Sequence, residues 1–197
     1  MHAALEYETV RPGLFFWQVY EPAVKTDLCC CAVETPEGLV FCDPVPLAAG
    51  ALEELVEGQT PRAVLLTNGN HERDAAGFAR WLGVEVWAGT GARGEVAATR
   101  WVEEGEVLFG GVEAVGWDGF ATGEMAYRLD GLLVVGDALV NVEPYGFSML
   151  PEKYCSDAKL GRGSLRKLLG YPVEVLTFAH GLPIVAQARE RLAGVIG

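Results

Sequence analysis

The sequence is poor in histidine, in basic residues and in long apolar runs. Its three histidines, His2, His71 and His180, are too few for a metal site that needs four or five imidazoles from one chain. Apolar runs such as Leu132–Val135 span only a few residues, so no bilayer-spanning segment is predicted. Fifteen Lys and Arg against 27 Asp and Glu give a net charge of −12, with no cluster of cations. Because this charge repels phosphate backbones, we expect neither a nucleic acid nor a membrane as a partner.

The cysteines argue against a disulfide framework. There are five of them, an odd number, and three are adjacent at positions 29–31. The first residues lack the basic segment and apolar run of a signal peptide, so we expect a reducing, cytoplasmic compartment. Cys29 and Cys31 fall on one face of a predicted strand and Cys30 on the other, which is typical of small residues in a core.

The length and composition predict a single domain over residues 1–197. Half of the residues are hydrophobic and 21% are charged, which excludes a disordered chain. Strands are predicted in both halves of the chain, and each half also carries helices. This order favours an α/β protein in which two sheets pack together with helices on the outside.

Hydrophobic periodicity places the individual elements. Apolar runs bounded by turn residues predict strands at Gly13–Tyr20, Leu28–Val33, Leu39–Cys42, Ala63–Leu66, Val84–Ala88, Trp101–Phe109, Val112–Val115, Met125–Leu129, Leu132–Val135 and Val173–Phe178. Helical spacing of apolar residues predicts helices at Leu47–Val56 and His71–Leu82. A third helix is predicted around Leu165, Leu168 and Leu169 and should end at Gly170 in the left-handed conformation. A fourth is predicted along Ile184, Val185, Ala188 and Leu192. The segment Ala138–Cys155 is predicted to be a long loop.

Three predicted strands end on polar residues beside glycine. One leads into residues 67–74, Thr-Asn-Gly-Asn-His-Glu-Arg-Asp, another ends at Asp137, and the third ends at His180. Ligands gather where strand ends meet helix starts, so these residues are candidates for one pocket. Each segment also has a structural interpretation: a tight turn for the asparagines, a helix cap for Asp137, and a structural histidine for His180.

Together these segments resemble the metallo-β-lactamase superfamily over most of the chain. Phe41–Pro44 is similar to the family's apolar strand that ends in Asp-Pro, and Val64–Thr67 leads into the place of the signature T-H-x-H-x-D-H. Val134–Asp137 looks like the strand that carries the metal-bridging aspartate, and Phe178–Gly181 looks like the late G-H-G. The resemblance implies a metallo-β-lactamase-like fold, a four-layer αββα sandwich of two mixed β-sheets.

The resemblance also implies that one of the family's two metal ions is lost. The positions that match the ligands of the first ion are Asn68, Asn70, Phe120 and Asp137. A carboxamide is a weak ligand for zinc or iron, and a phenyl ring is none.

The second ion's ligands match a more favourable set of positions. These positions are Glu72, Arg73, Asp137 and His180. The two carboxylates and the imidazole could hold one zinc, manganese or iron ion, and His71 is a further candidate ligand if the turn is remodelled. Against this, the Arg73 guanidinium repels a divalent cation. We therefore expect Arg73 to replace the ion by neutralising Glu72 and Asp137, so that no cofactor is needed.

Two functions follow from these alternatives. The favoured one is a noncatalytic or repurposed member of the family, whose pocket binds a small molecule or supports a protein contact. The alternative is a hydrolase with a single metal ion that acts on an ester, thioester or phosphoester. An RNA-processing nuclease fits poorly with the negative charge. The segment Pro144–Pro151 either overhangs the pocket or covers a sheet edge, and nothing in the sequence supports oligomerisation.

Overall fold

The computed structural model describes residues 2–197, and its first β-sheet has seven strands hydrogen-bonded in chain order. They are β1 (Glu8–Arg11), β2 (Leu14–Glu21), β3 (Thr26–Thr35), β4 (Gly38–Cys42), β5 (Pro61–Leu66), β6 (Glu85–Gly89) and β7 (Arg100–Val102). Strands β1 to β4 pair antiparallel and β4 to β7 pair parallel. The predicted strands Leu28–Val33 and Leu39–Cys42 lie within β3 and β4, which form an antiparallel hairpin. Its turn requires glycine at position 38, because a Cβ there would lie 2.2 Å from the carbonyl oxygen of Thr60.

The second half of the chain forms a five-stranded sheet and a separate hairpin. The strands are β8 (Val107–Leu108), β9 (Val112–Gly116), β10 (Met125–Leu129), β11 (Leu132–Val135), β12 (Leu139–Val142), β13 (Gly146–Met149) and β14 (Val175–Phe178). The order in the sheet is β14-β11-β10-β9-β8, while β12 and β13 pair with each other. Strands β11 and β14 are parallel and the other neighbours antiparallel, so this sheet is also mixed.

Four α-helices complete the layers. They are α1 (Ala49–Val56), α2 (Ala75–Leu82), α3 (Ala158–Leu165) and α4 (Ala188–Ile196). Short 3₁₀ segments lie at Thr90–Ala92, Glu152–Tyr154 and Arg166–Gly170. Within residues 2–197, none of the helices has the length and apolar character needed to cross a membrane.

Three hydrophobic cores separate four layers. The first core joins Leu52 of α1 and Phe78 of α2 to the outer face of the first sheet. The second lies between the sheets, where Leu65 of β5 and Tyr127 of β10 share one cluster. The third joins α3 and α4 to the second sheet, with Leu192 among its fully buried residues. The predicted αββα sandwich of two mixed sheets is therefore confirmed.

The cysteine strand follows the predicted alternation. Cys30 belongs to the first core, whereas Cys31 belongs to the core between the sheets, next to Cys42 of the paired strand. All five cysteines of the described chain are free thiols. Burial raises the pKa of Cys29 to about 11, which keeps this thiol protonated and inert.

Several predicted element boundaries were wrong. The segment Ala138–Cys155 is not one long loop, because β12 and β13 form a hairpin within it. The predicted strand Trp101–Phe109 is divided between β7 of the first sheet and β8 of the second, on either side of a turn at Gly105 with a φ of 86°. Ordinary strand residues flank a short turn here, so the apolar pattern does not reveal the change of sheet.

Helix boundaries also differ from the prediction. Helix α2 begins at Ala75 rather than at His71, because Arg73 adopts a φ of 43° that is incompatible with a right-handed helix. Gly170 is not left-handed; the chain leaves the 3₁₀ segment into an extended Tyr171. Helix α4 begins at Ala188, so the apolar residues at 184 and 185 precede it.

Candidate metal centre

The ends of four strands bring the polar candidates to one edge of the sandwich. Asp43 follows β4, Thr67 follows β5, Asp137 lies just after β11 and His180 just after β14. Because β4 pairs parallel with β5, and β11 with β14, each sheet delivers two strand ends to the same edge. A hydrogen bond from the Cys29 amide to the Ala179 carbonyl, 2.9 Å long, joins the two sheets beside His180.

His71, Asp137 and His180 form a compact cluster of metal-ligating groups. The Asp137 Oδ1 atom lies 3.2 Å from Nε2 of His71 and 3.3 Å from Nε2 of His180. All three ligand atoms lie within 4.8 Å of one another. Ligands bound at about 2.0–2.1 Å to a tetrahedral ion are separated by about 3.3 Å, so the two measured separations suit a shared ion.

Both histidines direct Nε2 into the cluster because Nδ1 is held from behind. His180 Nδ1 lies 3.0 Å from the carbonyl oxygen of Asp27, which can only accept, so Nδ1 carries the proton. His71 Nδ1 lies 2.9 Å from Oδ2 of Asp43 and donates to it. In each neutral ring the Nε2 lone pair is then free to bind a metal. An oxygen behind the distal nitrogen is the usual arrangement of a histidine ligand.

Asp43 is itself fixed by the end of β5. Its carboxylate accepts the backbone N–H of Thr67 at 2.8 Å and the Thr67 hydroxyl at 2.5 Å. Both residues are buried, and Asp43 adopts a φ of 49°, which turns its side chain back over the strand ends. Although burial opposes ionisation, His71, Arg73 and Thr67 together lower the pKa of Asp43.

His71 lies between two carboxylates, those of Asp43 and Asp137. Burial alone would lower the pKa of His71, which is only 4% exposed, but the two carboxylates outweigh it and raise the pKa to about 9. Burial would raise the pKa of Asp137, yet His71 and His180 hold it far below its ordinary value. In the absence of an ion, His71 is therefore an imidazolium at neutral pH, paired with ionised Asp43 and Asp137.

Asn68 and Glu124 close the cluster on its buried side. The Asn68 Nδ2 donates to Glu124 Oε2 at 2.8 Å and to Asp137 Oδ2 at 3.2 Å. Glu124 Oε1 accepts the backbone N–H of Ala138 at 3.0 Å. Glu124 is only 3% exposed, and this burial, together with the Asp137 charge, raises its pKa to about 8.

Arg73 does not neutralise the acids as predicted. Its guanidinium donates to the backbone carbonyls of Cys29, Asp43 and Ala179, at 2.5, 2.9 and 3.1 Å. The left-handed conformation of Arg73 aims the side chain below the cluster, toward the strand ends that carry Asp43 and His180. Among the described residues its hydrogen bonds thus go to backbone oxygens rather than to Glu72 or Asp137.

The chain as a whole matches a known family. A profile described as the metallo-beta-lactamase superfamily matches residues 7–196. The chain belongs to this superfamily. A comparison with curated proteins found no match.

Solved metallo-β-lactamases have the same fold. The DIM-1 metallo-beta-lactamase is 14% identical, with 98% of this chain and 96% of that chain covered and a TM-score of 0.76. The metallo-beta-lactamase of Hirschia baltica is 15% identical, with 98% and 97% covered and a TM-score of 0.71. TTHA1623, solved in a di-iron-bound form, is 24% identical, with 86% and 94% covered and a TM-score of 0.61. At sequence identities this low, the similarity to these structures shows a shared fold and nothing more.

The metallo-β-lactamase positions of the first ion do not fit a metal in this chain. The Asn68 carboxamide oxygen accepts the N–H of Asn70 at 2.8 Å, and its nitrogen faces Glu124 and Asp137, so the part of the side chain that faces the cluster is a hydrogen-bond donor and not a metal ligand. Asn70 is exposed at the surface. Phe120 is buried in the third core, where its ring contacts Gly161 of α3.

The positions of the second ion are rearranged in this chain. Glu72 lies away from the cluster, where its carboxylate accepts the backbone N–H of Ala97 at 3.4 Å. His71, one residue earlier, occupies the cluster beside Asp137 and His180. The donor set that fits one ion is therefore His71, Asp137 and His180. Its two imidazoles and one carboxylate match the ligands of catalytic zinc and non-haem iron sites.

The hairpin of β12 and β13 stands next to this centre. The backbone N–H of Asn141 in β12 donates to the His180 carbonyl at 3.0 Å. At the hairpin tip, Tyr145 is 83% exposed, and the residues of β13 are only partly covered. The segment 144–151 thus includes an exposed aromatic residue at the tip of this hairpin.

Sequence reasoning missed one residue of the site and the role of another. Glu124 precedes an apolar strand, as many surface acids do, and its burial depends on contacts with residues 68 and 138 that are distant in sequence. Thr67 was placed in the candidate segment 67–74, but that its hydroxyl orients Asp43 was not predicted. Both roles depend on contacts between residues that are distant in sequence, and the local sequence pattern does not predict such contacts.

Proposed function

We propose that the chain holds one divalent metal ion with His71, Asp137 and His180 and acts as a hydrolase of an ester, thioester or phosphoester. One observation carries the proposal: both histidine Nε2 atoms face the same Asp137 oxygen at 3.2 and 3.3 Å, with each Nδ1 bound from behind. Three protein ligands leave coordination positions for water and substrate, as in catalytic zinc sites. A bound ion would polarise a carbonyl or phosphoryl oxygen and make its water more acidic.

The chain's own residues orient this ligand set. Asp43 fixes the ring of His71, the Asp27 carbonyl fixes that of His180, and Asn68 binds the second oxygen of Asp137. Side chains of Asp137 and His180 remain 13% and 17% exposed, so a substrate reaches the centre from their side. His71 is more deeply buried and excludes water from behind the ligands.

A second candidate function is a metal-free, noncatalytic binding protein. The observation that favours it is the position of His71 between Asp43 and Asp137, where an imidazolium compensates both carboxylates without an ion. The sequence suggested this candidate because the Arg73 charge could replace the ion. That argument does not apply, because the Arg73 guanidinium donates its hydrogen bonds to backbone carbonyls.

The experiment measures turnover in the full chain after chelation and after reloading with zinc, manganese or iron(II). Substrates are a nitrophenyl ester, an acyl thioester and a nitrophenyl phosphodiester. We expect turnover of at least one substrate class in the reloaded protein, its loss on chelation, and a loss of at least about 100-fold in His71→Asn and His180→Asn, since removing a ligand disrupts the Lewis acid.

His2→Asn is the matched control, because His2 is the third histidine and lies exposed at the surface, outside the cluster. It should keep full turnover. Turnover that survives chelation or the His180→Asn substitution contradicts the proposal. A chain that neither binds an ion nor turns over any of the substrates supports the noncatalytic candidate instead.

A further inference from the structure

The side chain of Asn68 has a single hydrogen-bonding orientation. Its Oδ1 accepts the backbone N–H of Asn70 at 2.8 Å, so the NH₂ group must face Glu124 Oε2 and Asp137 Oδ2, at 2.8 and 3.2 Å. Asn68 is fully buried, and its amide uses one oxygen and both N–H groups. The side chain therefore directs both amide hydrogens between the carboxyl groups of Glu124 and Asp137, at the place where the family holds its first ion.

Glu124 is fixed from the opposite side. Its Oε1 accepts the N–H of Ala138, the residue after Asp137. Glycine at position 136 makes room for this acid, because a Cβ there would lie 2.7 Å from Glu124 Oε1 and 2.6 Å from the Thr67 hydroxyl. The Asn68–Glu124 pair is therefore built into the site by residues on both sides of Asp137.

We propose that the Asn68 amide, held by Glu124, stands in for the first ion of the family's two-ion centre, whose ligand positions do not fit a metal in this chain. It positions Asp137 by donating to Oδ2, which leaves Oδ1 as the oxygen that would bind an ion. Asn68 and Glu124 are thus positioning residues rather than ligands. This inference rests on the proposed single-metal site, and it explains why a chain with this fold needs only one ion.

One prediction separates this role from ordinary packing. In Asn68→Asp, three carboxylates, those of positions 68, 124 and 137, converge where the amide hydrogens were. Hard oxygen ligands of this kind bind divalent cations. We expect the number of manganese or zinc ions bound per chain to rise from one to two, and to return to one in the double variant Asn68→Asp/Glu124→Gln.

A second variant tests the positioning role if the buried charge of Asn68→Asp prevents folding. Asn68→Ala frees Oδ2 of Asp137, so we expect the affinity for the remaining ion to fall by about 10–100-fold, the usual effect of losing a residue that orients a ligand. The d–d spectrum of the cobalt(II)-loaded protein should also change, because the carboxylate can then bind through both oxygens. Asn141→Asp is the control, since the Asn141 side chain donates to the Leu182 carbonyl outside the ligand set.

The test is equilibrium dialysis of the full chain against zinc or manganese, followed by metal analysis and circular dichroism. If wild type binds one ion while both Asn68 variants match it in stoichiometry and affinity, this inference is overturned and the proposed function stands. If wild type binds no ion, the proposed function fails and the inference fails with it.

Discussion

Arg73 joins three strands beneath the centre. Its guanidinium donates to the carbonyls of Cys29 within β3, of Asp43 after β4 and of Ala179 after β14. A charged donor that satisfies buried carbonyls stabilises a fold more than a neutral hydrogen bond does. This residue therefore supports the geometry of Asp43 and His180 without contacting a ligand in the cluster.

We predict that Arg73→Ala lowers the free energy of unfolding by about 3 kcal/mol, because several buried carbonyls lose their donor. Arg73→Lys should cost about half as much, since an ammonium group cannot reproduce the fork of the guanidinium. Urea unfolding with a chelator present measures both changes apart from metal binding. An Arg73→Ala protein as stable as wild type would show that these hydrogen bonds contribute nothing.

The raised pKa of His71 predicts a pH-dependent stability of the metal-free protein. Folding moves this pKa from an ordinary 6.5 to about 9, because burial and the charge of Arg73, which lower it, are outweighed by Asp137 and Asp43, which face the ring. The folded state binds the proton more tightly, so the stabilisation is complete below pH 6.5 and is lost as the pH rises through 9. The corresponding free energy is about 3 kcal/mol.

Chelated wild type and His71→Asn are compared by urea unfolding between pH 6 and 10. The difference between their unfolding free energies removes the contribution of Cys29 and reports His71 together with its effect on Glu124, whose pKa His71 lowers. That difference should shrink across the range from pH 6.5 to 9. A difference that is constant with pH would mean that His71 is not an imidazolium in the metal-free chain.

Part of the site could be predicted at the residue scale. Asp137 and His180 follow apolar strands directly, and a strand fixes where its last side chain leaves the sheet. The residues of the turn at 68–73 were less predictable. The turn places His71 in the cluster, while Glu72 accepts the backbone N–H of Ala97 outside it. Arg73 in the same turn has a left-handed φ, which at a non-glycine residue is not predictable from the sequence.

Helix α3 is placed by close packing on the segment that carries Phe120. A Cβ at Gly161 would lie 2.7 Å from the Phe120 ring, and one at Gly119 would lie 2.3 Å from the Gly161 nitrogen. This contact explains why Phe120, at a position that matches a family ligand, is a core residue here. It also leaves no room for a larger side chain on that face of the helix.

We predict that Gly161→Ala destabilises the protein by about 1–3 kcal/mol, because an added methyl group overpacks a tight contact. Gly163→Ala in the same helix is the matched control. A Cβ there meets no described atom within 4 Å, so it should stabilise the helix by about 0.5–1 kcal/mol. Thermal and urea unfolding of the two variants should change in opposite directions. Equal effects would show that the Phe120 contact is loose.

The elements were more predictable where they are buried on both faces. Strands β4, β5 and β11 are continuous apolar runs, and their predicted positions differ from the observed ones by two residues or fewer. The hairpin of β12 and β13 was missed because two buried residues, Leu139 and Val140, are followed by partly exposed ones, without the alternation typical of a strand. Its strands pair with each other outside both sheets, so tertiary contacts decide its conformation.

At the scale of the whole molecule, the centre links the two sheets. His71 and Asp43 come from the first sheet's edge, while Asp137 and His180 come from the second. The sandwich itself follows from the order of strands and helices, since each sheet must cover two apolar faces. The ligand set could not be deduced in the same way, because it depends on which side chains the two sheets bring to their common edge.

The most direct measurement is an anomalous difference map from crystals of the full chain grown with zinc. The account predicts one peak per chain, bonded at about 2.0–2.2 Å to Nε2 of His71, Oδ1 of Asp137 and Nε2 of His180. Electron density for Asn68 should remain between Glu124 and Asp137. Two peaks bridged by Asp137, or no peak within bonding distance of these three atoms, would contradict it.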